Sequence, residues 1–83
     1  MKTIVFSPSA SREFDALPSK AQDAIEAALD TYALTGKGNV IRLIGRPGLR
    51  MRVGNYRVVF TEDGTTILAI YIGTRNEATY RGL

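Results

Sequence analysis

Apolar positions follow helical spacing in the first part of the chain and alternate in the last. Thr3 to Phe6 is a short apolar opening that reads as a strand. Ser7 and Pro8 then supply an N-cap and a proline at the first helical position. Ala10, Phe14 and Leu17 recur at i, i+4 and i+7 until Pro18 interrupts the stripe. Ser19 with Gln22 has the form of a capping box, and Ala21, Ile25, Ala28, Leu29 and Tyr32 continue at helical spacing as far as Gly36. Together the two segments predict a helical hairpin with one apolar side.

After the Gly36-Lys37-Gly38-Asn39 loop the chain turns to β-branched and aromatic residues punctuated by glycine-containing turns. Strands are predicted at Leu49 to Val53, Tyr56 to Thr61 and Thr66 to Ile72, joined at Gly54-Asn55 and around Asp63-Gly64, with Gly73 breaking the last one. Val40 to Ile44 is either a fourth strand of this group or an apolar anchor crossing an edge, because Pro47 in the turn that follows prevents a continuous strand. The order β-α-α-β-β-β over residues 1–83 predicts one α+β domain: a small antiparallel sheet with the helix hairpin packed on one face.

A two-residue turn at Gly54-Asn55 fixes the hairpin register. Val53 then faces Tyr56, Arg52 faces Arg57, and Arg50 faces Val59. Leu49, Met51, Val53, Tyr56, Val58 and Phe60 point to one wholly apolar face, suited to the helices. Arg50, Arg52 and Arg57 share the other face, which is expected to be open. Directly opposed like charges cost some tenths of a kcal/mol to about 1 kcal/mol, so a fold that keeps them has a use for them.

Charge sharpens this picture. The net charge is +3, but residues 1–30 carry three basic groups against five acidic ones, while residues 31–83 carry eight against three. Between Asp30 and Glu62 there is no acidic residue, and five of the six basic groups in that interval are arginines, whose planar fork grips phosphate in a bidentate way. The paired Glu62-Asp63 reads as a turn rather than a metal or acid/base pair. Neither Gly45 to Gly48 nor Gly36-Lys37-Gly38 has the spacing of a phosphate loop or a dinucleotide fingerprint.

Composition then removes whole classes of chemistry. With no His and no Cys, the chain has no Ser-His-Asp or Cys-His nucleophile scheme, no disulfide and poor means of holding zinc, so no cofactor or metal is expected. No apolar run approaches the roughly 18 residues needed to cross a bilayer, and the opening residues lack the apolar stretch and cleavage site of a signal peptide. A cytoplasmic location without membrane contact is the expectation.

The runs Leu43-Ile44-Gly45, Leu49 to Phe60 with its G-x-Y-R-V-V-F hairpin, and Ile70-Tyr71-Ile72-Gly73-Thr74-Arg75 with Tyr80 resemble the RelE/ParE superfamily of bacterial type II toxin-antitoxin toxins. The opening strand and helix pair fit it too, so the resemblance covers nearly the whole chain. It implies a toxin of the RelE branch, which enters the ribosomal A site and cuts mRNA there without a metal. It also implies a cognate antitoxin protein as partner beside the ribosome and mRNA.

Position by position, the resemblance assigns catalytic roles to Arg57, Arg75 and Tyr80, with Tyr80 stacking on a base, and RNA phosphate binding to Arg50, Arg52 and Arg81. RelE carries Lys where Arg50 and Arg52 stand, which leaves the general base unassigned. Two alternatives stay open. One is a ParE-like inhibitor of DNA gyrase, and the other is a relative that binds RNA without cutting it.

Overall fold

The computed structural model describes residues 1–74 as two helices and five strands: β1 (Thr3–Phe6), α1 (Pro8–Asp15), α2 (Ser19–Thr35), β2 (Val40–Arg42), β3 (Leu49–Val53), β4 (Tyr56–Glu62) and β5 (Thr66–Thr74). Among these residues no helix is long and apolar enough to cross a membrane. The strands form one sheet in the order β1-β5-β4-β3-β2.

Strands β2 to β5 are antiparallel neighbours, so Val40 to Arg42 is a genuine edge strand of the group. The sheet is nevertheless mixed, because β1 runs parallel to β5, with Thr3 beside Thr66 and Phe6 beside Ala69. The antiparallel expectation fails only at this edge. The helices carry the chain from β1 at one edge to β2 at the other, and the meander returns to β1 with β5 pointing the same way. A parallel pair needs a long crossover, here everything between the two strands, which a local pattern does not reveal.

Helix α1 begins as its sequence demands. Ser7 is extended at φ −63° and ψ 161°, and its Oγ accepts the Ala10 amide at 3.1 Å. Helix α2 departs from expectation at its start: its cap position is Pro18 and no side chain caps it. Ser19 is already helical, and Gln22 Nε2 reaches back 2.9 Å to the Phe14 carbonyl, tying the end of α1 to the start of α2 instead of closing a capping box. At the far end Gly36 adopts φ 75°, the left-handed cap that glycine takes without strain.

The core lies between the helices and one face of the sheet. Ala10, Ile25, Leu29 and Ala33 pack with Met51, Val58, Phe60, Ile67, Ala69 and Ile72, and Leu49, Val53 and Tyr56 pack at its margin. The predicted apolar face of the hairpin is thus the face that the helices cover. Edge-to-face ring pairs, Phe6 with Phe14 and Tyr32 with Phe60, join helix to sheet at each end.

Two polar clamps complete the packing. Beyond Phe6 the β5 edge has no β1 beside it, and there the Glu13 carboxylate of α1 accepts the Ile72 amide at 3.0 Å. At the other end Glu62 accepts Lys2 Nζ on one oxygen and the Tyr32 hydroxyl on the other, both at 2.7 Å. These donors hold the Glu62 carboxyl below the usual carboxylate range, Lys2 being the larger cause. Burial, followed by the bond to Glu62, pushes the Tyr32 phenol up to about 12. Asp63 is the turn residue expected: its Oδ1 accepts the amides of Thr65 and Thr66 at 2.8 Å.

A candidate nucleic-acid interface

The turn between β3 and β4 has two residues, with Gly54 at φ 57° and no positive φ at Asn55, which is the backbone of a type II′ hairpin with glycine first. It sets the register derived from the sequence: Val53 with Tyr56, Arg52 with Arg57, Arg50 with Val59. Arg50, Arg52 and Arg57 therefore project from one face, opposite the helices. Directly paired residues have Cα atoms about 4.5–5.5 Å apart, so the guanidinium groups draw on a common patch.

The face is less open than its alternation implies. All three arginines are half-buried, and Val59 between them is fully buried. The covering segment is the loop after β2, closed by the Leu43 amide on the Gly48 carbonyl at 3.1 Å. Leu43, Gly45, Arg46 and Pro47 border a cavity of about 360 Å³, with Val59 and Ile70 as its floor.

 A second groove, of about 430 Å³, lies between α1 and β5 and is lined by Glu13, Leu17 and Tyr71 among others. Gly48 makes the fold-back possible, since at φ 121° a Cβ there would lie 3.3 Å from the Phe60 carbonyl oxygen.

Arg50 shows what the patch can do. Its Nε is buried with no hydrogen-bond partner among the described residues. A buried N–H left without an acceptor costs about 1–3 kcal/mol, and a guanidinium cannot escape that cost by losing its proton. An anionic oxygen brought within reach of this N–H would remove the cost. Beside Arg50, the residues Ile41, Leu43, Ile44, Arg42 and Arg46 line a groove of about 400 Å³, which extends the basic surface toward the β2 edge.

Of the six residues singled out from the sequence, the structure brings together Arg50, Arg52 and Arg57. Arg75, Tyr80 and Arg81 lie outside the described residues. Strand β5 runs on through Gly73 to Thr74 instead of ending at Ile72. Gly73 pairs with Arg57 across the sheet, and the ring of Tyr71 lies over it, where a Cβ would collide with the Tyr71 hydroxyl end. A glycine in a strand often marks such a close approach, and that was the one signal in the sequence for Tyr71.

Neither a protein-family model nor a curated protein matches the chain. Solved structures do. The chain is similar to a chain of the intact RelBE toxin-antitoxin complex of E. coli, with a TM-score of 0.78 and 18% identity over 93% of this chain and 100% of that one. It is similar also to a chain of the RelB-RelE complex of Methanococcus jannaschii, at TM-score 0.74 and 20% identity over 95% and 98%. For the YafQ mutant H87Q of E. coli the TM-score is 0.71 at 9% identity, over 90% and 94%. At these identities the likeness is one of backbone architecture: the chain has the RelE-like fold.

Proposed function

We propose that this chain is the toxin of a type II toxin-antitoxin pair and that it cuts mRNA on the ribosome. The observation that carries the reading is the cluster of Arg50, Arg52 and Arg57 on one sheet face, with the Arg50 Nε buried and awaiting an acceptor. The RelE-like fold supports it, as does the occurrence of similar chains in RelB-RelE complexes. The same likeness supports an antitoxin protein as partner in the cytoplasm, and the basic patch calls for acidic groups on it.

In the proposed reaction a ribose 2′-oxygen attacks the adjacent phosphorus. The O2′–P bond forms, the P–O5′ bond breaks, the 2′-hydroxyl gives up its proton and the leaving 5′-oxygen takes one up. The products are a 2′,3′-cyclic phosphate and a free 5′-hydroxyl. Arg57 and Arg75 hold the phosphate oxygens as negative charge grows on them, Arg50, Arg52 and Arg81 bind the flanking backbone, and Tyr80 stacks on a base. Fixed guanidinium donors suit this work because they need no reorganisation as the charge develops. With a reference pKa of about 12.5 or more, they serve as clamps rather than bases.

The test is to add purified protein to ribosomes carrying a defined mRNA and to map new 5′ ends, alongside a gyrase supercoiling assay. New ends that vanish with Arg57→Ala support the reading. Inhibition of gyrase without cleavage would replace it with the ParE-like alternative. Co-expression with the product of a neighbouring gene should raise soluble yield and melting temperature, as a ligand of the native state does.

A further inference from the structure

Strand β2 closes one side of the sheet: β3 lies beside it, and among the described residues no strand lies beyond. The register shows which of its backbone groups face outward. The Asn39 carbonyl accepts the Arg52 amide at 3.0 Å, the Leu43 amide donates to the Gly48 carbonyl at 3.1 Å, and Ile41 pairs with Arg50 between them. Odd-numbered positions therefore bond to β3. The N–H and C=O of Arg42 and the C=O of Val40 point away from the sheet, while the Val40 amide is taken locally by the Gly38 carbonyl at 3.0 Å. Beside this edge stand two aliphatic side chains that the fold leaves in water, Ile41 at 50% exposure and Ile44 at 99%. They share the groove of about 400 Å³ with Arg42, Arg46 and Arg50, in the stretch of chain that has no acidic residue.

We infer that the outer edge of β2 takes an extended segment of the antitoxin as an added strand, in which apolar and acidic residues alternate. The inference rests on the proposal that the chain has an antitoxin, and is independent of the nuclease reading. Main-chain bonds to Arg42 and Val40 supply the pairing, and the groove reads the side chains. The alternation follows from the pleat: the residue opposite Ile41 meets an aliphatic group and is apolar, while the residue opposite Arg42 meets a guanidinium and is a carboxylate. A second copy of this chain is disfavoured by the same chemistry, since edge-to-edge pairing of two β2 strands gathers two Arg42 and two Arg46 at one seam. RNA is the poorer fit, because no aromatic ring lines the groove for a base to stack on.

The experiment measures binding of the neighbouring gene's product to the full chain by calorimetry, for the parent, Arg42→Ala and Arg42→Pro. Neither substitution removes a bond between β2 and β3, so the melting temperature of the free chain should stay close to the parent's. Arg42→Ala removes the charge alone and should weaken binding by no more than about fivefold. Arg42→Pro also removes the outward N–H and sets a ring against the edge, and should weaken binding about tenfold further. Hydrogen exchange needs no variant: the Arg42 amide of the parent should exchange fast in the free chain and at least about tenfold more slowly in the complex. Equal affinity of Arg42→Ala and Arg42→Pro, or an Arg42 amide that exchanges equally fast in both states, overturns the inference and leaves the antitoxin in place. A neighbouring product that does not bind the parent overturns both. Parent-like binding by Arg42→Pro, with weakened binding of a short single-stranded RNA, overturns the inference in favour of nucleic acid in the groove.

Discussion

On the helix side of the sheet Met51, Val58, Phe60, Ile67, Ala69 and Ile72 are all 3% exposed or less, whereas the other side of the same strands carries Arg50, Arg52 and Arg57 around Val59. The period of two that sends one residue to the core sends its neighbour to the patch. The two faces obey different physics. Apolar burial stabilises the first at about 25 cal/mol per Å² removed from water, while the second concentrates like charge at some cost to folding. The division teaches that the core and the arginine face can be changed separately by substitutions one residue apart.

The strongest way to break the comparison is Phe60→Ala. Phe60 is fully buried, and its truncation should cost about 3–5 kcal/mol, read from the urea midpoint, with activity lost through unfolding. Its near neighbour Arg57 should behave in the opposite manner: Arg57→Ala should lower mRNA cleavage by about 10²–10³-fold, the effect of losing one transition-state donor, in a protein that remains folded by circular dichroism. If growth inhibition by Arg57→Ala equals that of the parent, the phosphate-clamp role is wrong.

A smaller effect tests the clamp that closes the core side. Glu62→Gln should cost about 1 kcal/mol at neutral pH, because it weakens the bonds from Lys2 and Tyr32. The folded carboxyl titrates below its unfolded value, so its contribution is full above the ordinary range near 4.3 and is lost as pH falls through the folded value. The gap between parent and Glu62→Gln should therefore close in acid, and a gap independent of pH would contradict the assignment. On the alkaline side Tyr32 is raised to about 12, so its contribution persists below its unfolded value near 10 and is lost as pH climbs through about 12. The smallest effect belongs to Ile44→Ser. Ile44 is 99% exposed, and the change should leave stability within about 0.5 kcal/mol in a thermal melt.

What the sequence made legible was local. The two-residue turn at Gly54-Asn55 was enough to set the Arg52–Arg57 pairing, and helical spacing was enough to choose Ile25 and Leu29 for the core. What it hid depends on residues far apart in the chain. Lys2 meets Glu62 across 60 positions, and Glu13 meets the Ile72 amide across 59, with no periodicity to announce either. The same holds for the parallel pairing of β1 with β5. The placement of Tyr71 was hidden for another reason: its ring fills the gap left by Gly73, two residues on, which reads in sequence as the end of a strand.

The strand order β1-β5-β4-β3-β2 also governs how the molecule comes into being. Strand β5 lies inside the sheet, between the first strand and the fourth, so neither the core nor the Arg57–Gly73 pairing can close before residues 66–74 take part. Pairings of such long sequence separation must meet the entropy of loop closure before any contact rewards them, which makes their formation slow. During synthesis the helices and the β3–β4 hairpin have all their local partners early, yet the arginine face stays incomplete until β5 arrives. The arginine face of this fold is therefore completed only by β5.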